Sequence, residues 1–273
     1  MGGATLALGA QDGDVRGVLL DLDGVVYVGE EPVPGAAETV NWLAREGLPY
    51  CFVTNTTSRP RQAILDKLAG LGISAKTEQV LTPTVSAVAW LRRHSITRPA
   101  VFAPDATAAE FADLNPLPDG VEHGAGAVVI GDLGDGWNYA TLNRALRLLT
   151  SDAAVPLVAL GMTRYWRAND GLRLDAGAFV RALEYAADRS AAVVGKPDPA
   201  FFRTAVEALG VDADQVVMIG DDVSTDVGGA QRAGLTGVLV RTGKFSTPDL
   251  YGDVSPDAVL DSVADLPRWW ASL

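Results

Sequence analysis

Near the start of the chain an apolar run is closed by two carboxylates one residue apart: Val18-Leu19-Leu20-Asp21-Leu22-Asp23-Gly24-Val25. A run this short, stopped by Asp and Gly, has the pattern of a strand buried on both faces of a parallel sheet and ending at a turn. Carboxylates are costly to bury, so a pair at a strand end calls for a partner. In an open α/β sheet, ligands bind beyond the carboxyl ends of the strands. Asp21 and Asp23 are therefore candidates for metal binding or nucleophilic chemistry, with capping of the next turn as the plainer alternative.

The same grammar recurs along the chain. A Gly/Pro-rich stretch, Gly29 to Gly35, precedes a helix expected from Ala36 to Arg45 and stopped by Gly47. Tyr50 to Val53 reads as a strand running into Thr54-Asn55-Thr56-Thr57-Ser58. Ser58 is the expected N-cap of a helix carrying Ile64, Leu68 and Leu71. In the last third, Ala192 to Gly195 reads as a strand ending in Lys196-Pro197, and Asp198-Pro199 opens a helix to Gly210. Val216 to Ile219 is a strand ending in Gly220-Asp221-Asp222. A helix through Ala230 stops near Gly234, and Gly237 to Val240 is one more strand. Such alternation predicts an α/β, Rossmann-like, doubly wound parallel sheet.

The passage 83–189 has strand-like pieces at Ala100-Val101-Phe102, Ala127 to Ile130 and Leu157 to Leu160, with no comparable acid cluster. It is expected to form a smaller α/β domain inserted into a core built from 15–82 and 190–273; one uninterrupted larger sheet is the alternative. Residues 1–14 are expected to be a loose tail.

Composition narrows the function. With 48% hydrophobic and 21% charged residues the 273-residue chain is core-rich rather than disordered. A formal charge of −12 and a pI near 4.6 argue against nucleic acid as a partner. Cys51 is the only cysteine, so no intramolecular disulfide forms, and its strand context suits an inert buried thiol. His94 and His123 lack zinc-type spacing, and neither a Gly-x-Ser-x-Gly elbow nor a Walker loop is present. No apolar stretch approaches the ~18 residues of a membrane span. The N-terminus lacks a signal peptide's basic region and apolar core, and Leu6 breaks the myristoylation pattern. A cytoplasmic enzyme is expected.

Four strand ends carry polar residues: Asp21 with Asp23, Thr54 with Asn55, Lys196, and Asp221 with Asp222. A parallel sheet would bring them to one rim. Carboxylates there can hold a hard cation such as Mg²⁺, while hydroxyl, amide and ammonium donors suit phosphoryl oxygens. One carboxylate could attack phosphorus and form an aspartyl-phosphate.

In order and spacing these motifs resemble the haloacid dehalogenase superfamily, in the phosphatase branch (subfamily IIA) with a large C2-type α/β cap between the second and third motifs. Asp21-Leu22-Asp23-Gly24-Val25, Thr54-Asn55, Lys196-Pro197 and Gly220-Asp221-Asp222 through Asp226 carry the match. Longer stretches sharpen it: Val53-Thr54-Asn55-Thr56-Thr57, Leu183-Glu184-Tyr185-Ala186, Val194-Gly195-Lys196-Pro197, Val227-Gly228-Gly229-Ala230-Gln231 and Arg241-Thr242-Gly243-Lys244. In the members these stretches most resemble, serine replaces the second acid of the first motif; here it is Asp23, as in the wider superfamily.

The resemblance implies Asp21 as nucleophile and Asp23 as the acid that protonates the leaving group and then activates water. It implies Mg²⁺ held by the side chains of Asp21 and Asp221 and the carbonyl of Asp23, with Asp222 and Asp226 a layer further out. Lys196 would neutralise charge, and Thr54, Asn55 and the Thr56 amide would grip a small phosphorylated substrate. A homodimer is implied too. An intact acid favours phosphate monoesters; the alternatives are phosphohistidine, phospholysine or pyrophosphate hydrolysis, a phosphotransferase, a phospho-acceptor signalling domain, or a non-catalytic interaction protein. Taken singly, Asp222 reads as a cap and Asp226 is balanced between the two roles. Tyr165 and Trp166 are candidates for recognition or packing, and Trp269 and Trp270 for packing of a terminal helix.

Overall fold

The apolar runs become strands of two parallel sheets in a computed structural model that describes residues 15–168 and 170–273. The tail expected at 1–14 lies outside the described residues, as does the side chain of Trp166. The chain divides into two units, each with its own sheet and core.

The larger unit holds 15–54, 62–81 and 196–273. Its six strands lie in the order Ala258–Leu260, Thr236–Val240, Val216–Gly220, Gly17–Asp21, Tyr50–Val53, Val80–Leu81, all parallel. The two central strands and Tyr50–Val53 are buried at every residue, which is why they read as unbroken apolar runs. Gly17–Asp21 pairs with Tyr50–Val53 on one side and Val216–Gly220 on the other, with Leu19 opposite both Cys51 and Met218. From that central pair the chain order runs outward in opposite directions, which makes the junction a topological switch point.

Val18, Leu20, Phe52, Ile219 and Val238 point to one face, packed with Val40 and Leu43 of helix Ala36–Arg45 and Ile64 and Leu68 of helix Arg61–Gly70. Helix Pro199–Leu209 packs on Tyr50–Val53 and buries Phe201 and Phe202. Asp198 caps that helix by accepting from the Ala200 N–H at 2.8 Å, and Gly210 ends it at φ 70°. Trp269 and Trp270 end helix Leu266–Trp270 and pack against the same core, with Trp270 edge-on to Trp42 at 6.1 Å.

The smaller unit comprises 55–61 and 82–195. Its four parallel strands, Ala192–Val193, Leu157–Ala159, Ala127–Ile130 and Pro99–Phe102, lie side by side in simple chain order. Helices Tyr139–Ser151 and Ala176–Ala187 cover one face through Leu148, Leu149, Val180 and Leu183. Leu91 and Phe111 pack with Val129 and Val158. Tyr165–Ala168 and Gly171–Leu174 form an antiparallel hairpin that exposes Leu172 and Leu174 and leaves Tyr165 half exposed.

Two readings change. The strand at Ala192, expected to join the larger sheet, pairs instead with Leu157–Ala159 of the smaller one. Gly195 lets the backbone pass the Leu160 carbonyl, where any Cβ would collide. The helix expected to start at Ser58 begins at Arg61, because Arg59 precedes Pro60 and a residue before proline is pushed out of the α region.

Candidate functional site

Asp21 is the last residue of Gly17–Asp21, and Asp221 is the first residue beyond the neighbouring strand Val216–Gly220. The switch point therefore sets two carboxylates side by side, both buried. Beyond Asp221 the chain makes a wide π-helical turn, Val223–Val227, in which the N–H groups of Asp226 and Val227 both donate to the Asp222 carbonyl. The turn brings Asp226 back under the strand end. One carboxylate oxygen from each of Asp21, Asp221 and Asp226 lies within 4.8 Å of the others.

Lys196 sits among them. Its Nζ lies 2.9 Å from Asp21 Oδ1 and 2.7 Å from Asp226 Oδ1, with side-chain exposures of 2%, 9% and 1%. Three acids against one ammonium leave the cluster short of positive charge, and the titration behaviour follows. Burial, then repulsion from Asp21, pushes Asp226 up to about 7. Burial also raises Asp21, against the opposing pull of Lys196, and burial raises Asp221. Burial alone would lower the Lys196 ammonium, but Asp21 and Asp226 outweigh it and hold it above its ordinary value.

Asp221 is enclosed by two glycine turns. Lys244 N–H donates to Asp221 Oδ2 at 2.7 Å, and the Thr242 hydroxyl donates to the Gly24 carbonyl. Gly24 (φ 84°) and Gly243 (φ 68°) press so closely that a Cβ at either would run into the Asp221 carboxylate. Asp221 Oδ1 is buried with no hydrogen-bond partner among the described residues. A buried carboxylate oxygen left this way is costly unless a proton or a cation meets it. An all-oxygen donor set suits a hard divalent cation, so the residues fit such an ion.

The other sequence candidates are placed as follows. Asp23 is exposed, two residues past Asp21, and is joined by a backbone bridge to Tyr27. Thr54 is buried at the end of Tyr50–Val53, its N–H donating to the Leu81 carbonyl at 3.1 Å. Asn55 and Thr56 belong to the smaller unit and are half-buried. Asp222 is a cap, accepting from the N–H groups of Ser224 and Thr225, each at 3.0 Å. Sequence reasoning gave no role to Gly24, Thr242, Gly243 or Lys244. The available signal was Gly243 just beyond the apolar run Gly237 to Val240, since that strand ends on the same rim.

Known proteins resemble the chain in sequence and in fold. The family model for haloacid dehalogenase-like hydrolases matches residues 18–115, and a second, for HAD-hydrolase-like proteins, matches 193–266. The chain is 38% identical over 256 residues to human phospholysine phosphohistidine inorganic pyrophosphate phosphatase, covering 92% of each. It is 38% identical over 235 residues to human haloacid dehalogenase-like hydrolase domain-containing protein 2, covering 86% of this chain and 87% of that one. Among solved structures, p-nitrophenyl phosphatase from Archaeoglobus fulgidus superposes with a TM-score of 0.84 at 26% identity, over 96% of this chain and 100% of that one. The chain belongs to the haloacid dehalogenase-like hydrolases, and it is a phosphatase of that family.

Proposed function

We propose that the enzyme hydrolyses a small phosphate monoester through an aspartyl-phosphate, with Mg²⁺ as its cation. The observation that carries this reading is the Lys196 ammonium set between Asp21 and Asp226 beside Asp221 Oδ1, which is buried without a hydrogen-bond partner among the described residues. Asp21 attacks phosphorus in line and the ester oxygen departs, taking a proton from the Asp23 carboxyl. Asp23, now a carboxylate, accepts a proton from the water that attacks the aspartyl-phosphate, and inorganic phosphate leaves with Asp21 restored.

Lys196 holds Asp21 in place as a carboxylate and offsets charge on the phosphoryl oxygens. Thr54, with Asn55 and Thr56 that follow it, supplies donors to those oxygens. The Asp21 and Asp221 side chains and the Asp23 carbonyl would hold the Mg²⁺, with Asp226, paired to Lys196, a layer further out; the ion would neutralise charge on the phosphoryl group when bound.

A second reading, hydrolysis of phosphohistidine, phospholysine or pyrophosphate, is favoured by the 38% identity to a relative named for those substrates. Asp23 supports the monoester reading, because a proton donor matters most for a poor, alkoxide leaving group. The test is phosphate release from a panel of phosphorylated metabolites with Mg²⁺, beside a chelator control and Asp21→Asn. The expected result is Mg²⁺-dependent release from one or more monoesters and none from the variant. No release from any substrate by the wild type would overturn the reading, and a faster rate on phosphohistidine than on any monoester would favour the second. A cytoplasmic homodimer is part of the same proposal, and sedimentation of the purified protein tests its dimeric half.

A further inference from the structure

The proposed proton donor, Asp23, is exposed, so burial does not hold it. Its place is set by its backbone. The carbonyl of Leu22 accepts from the N–H groups of Val25, Val26 and Tyr27, winding a tight turn directly after the Asp21 strand. The turn is closed by Gly24 N–H donating to the Tyr27 carbonyl at 2.7 Å and by the bridge between Asp23 and Tyr27. Tyr27 then begins a two-residue antiparallel hairpin, Tyr27–Val28 against Glu31–Pro32. A hairpin this short is marginal alone, and three of its four residues are exposed. Tyr27 is the buried one.

A side chain from a rigid element reaches this hairpin. Lys67, on helix Arg61–Gly70, places its Nζ 3.9 Å from the centre of the Tyr27 ring. The same ammonium donates to the Gly29 carbonyl at the hairpin tip and lies 3.3 Å from Glu30 Oε1. The Lys67 side chain is 14% exposed, whereas Glu30 is 78% exposed, so the ring and carbonyl contacts lie on the sheltered side. The helix itself is fixed by Ile64 and Leu68 in the core. A cation over an aromatic face is worth most when it is sheltered from water, and a carbonyl on the same ammonium adds direction.

We propose that Lys67 is a positioning residue: it clamps the Tyr27–Pro32 hairpin and thereby holds the Asp23 carboxyl in reach of the leaving-group oxygen. It touches neither substrate nor reacting atoms and acts through Tyr27. The inference rests on the reading of Asp23 as the proton donor.

The test separates the two. Lys67→Met keeps the apolar stem and removes the cation, Lys67→Arg keeps a cation and donors, and Asp23→Asn removes the acid. Each is assayed by single-turnover release of the leaving group, which ends before water attacks the shared aspartyl-phosphate, on an alkyl phosphate, whose leaving group needs a proton, and on p-nitrophenyl phosphate, whose leaving group does not. Lys67→Met is expected to lower the single-turnover rate on the alkyl phosphate by up to ~10²-fold, the scale of a misplaced catalytic group. On p-nitrophenyl phosphate that rate should stay within about twofold, with the half-saturating substrate concentration of the single turnover unchanged on both and Lys67→Arg restoring most of the loss. Asp23→Asn should show the same selectivity, more strongly. Equal losses on both substrates, or no loss, in Lys67→Met overturn the positioning role while a selective Asp23→Asn leaves the acid intact. An unselective Asp23→Asn overturns the acid and the clamp together.

Discussion

The two parallel sheets are built alike, yet among the described residues only one gathers a cluster of buried acids at its carboxyl rim. In the larger sheet, Asp21 and Asp221 end adjacent strands and are buried beside Lys196 and Asp226. In the smaller sheet the strands are followed by Ala103, Gly131, Leu160 and Val194, all buried and apolar or without a side chain. A Cβ at Gly131 would sit 2.9 Å from Leu160 Cδ1 and 3.3 Å from Ala103 Cβ, so that rim is closed by packing. Topology accounts for the difference. The smaller sheet follows chain order from edge to edge, whereas the larger reverses between Gly17–Asp21 and Val216–Gly220. Only a reversal parts the connections above two neighbouring strands and leaves room for ligands. An α/β sheet is a scaffold, and the strand order decides where a site can open.

The contrast can be broken or sharpened by paired substitutions. The largest effect is expected from exchanging the acid at each rim. Asp21→Asn should take phosphate release down to the chelator background. Asp132→Asn, whose side-chain oxygen still accepts from Gly134 N–H as the aspartate does at 3.0 Å, should leave kcat unchanged. Next comes Lys196→Met, which strands Asp21 and Asp226 as unpaired buried carboxylates and should cost about 3–5 kcal/mol, read from urea unfolding of the metal-free protein. Glycine-to-alanine exchanges should then part the rims again. Gly24→Ala drives a methyl into the Asp221 carboxylate and should weaken Mg²⁺ binding by about 10–100-fold in calorimetry. Gly131→Ala should cost only about 1–3 kcal/mol of stability and leave Mg²⁺ affinity alone.

The smallest effect is on pH dependence. Asp226 is ionised in the unfolded chain above 3.8, but burial keeps it protonated in the metal-free fold up to about 7. The folded state binds more protons in that window, so stability in chelator should fall as pH rises from about 4 to about 7. The raised Asp21 and Asp221 act in the same direction. Mg²⁺, which competes with those protons, should stabilise more at pH 8 than at pH 5. A melting temperature in chelator that climbs across the window would contradict the charge imbalance drawn for this rim.

What could be read before the structure was whatever burial on both faces writes into a run of residues. Val18 to Leu20, Tyr50 to Val53, Val216 to Ile219 and Gly237 to Val240 are strands because a central parallel strand has no polar face to alternate with. Asp198, Pro199 and Gly210 were legible because caps depend on residue identity. Val80–Leu81 and Ala258–Leu260 were not, being edge strands too short to form a pattern. The pairing of Ala192–Val193 with the smaller sheet depends on partners far away in sequence, which its two apolar residues do not name. At the site, acids at strand ends stood out against their apolar runs. The inward position of Asp226 depends on a π-helical turn, and the Lys244 contact is made by a backbone N–H, which every residue but proline has.

The central pairing of the larger sheet also dictates an order of assembly. Gly17–Asp21 cannot gain its Val216–Gly220 neighbour until the intervening residues 22–215 have been made. At ~5–20 residues per second, translation leaves that strand waiting for roughly 10–40 s. Residues 82–195, nearly all of the smaller unit, are one unbroken stretch with a sheet in chain order. On the ribosome the residues of the smaller unit are therefore complete first, and the acid cluster, which needs Asp21 together with Lys196, Asp221 and Asp226, can come into being only after Asp226 has been made.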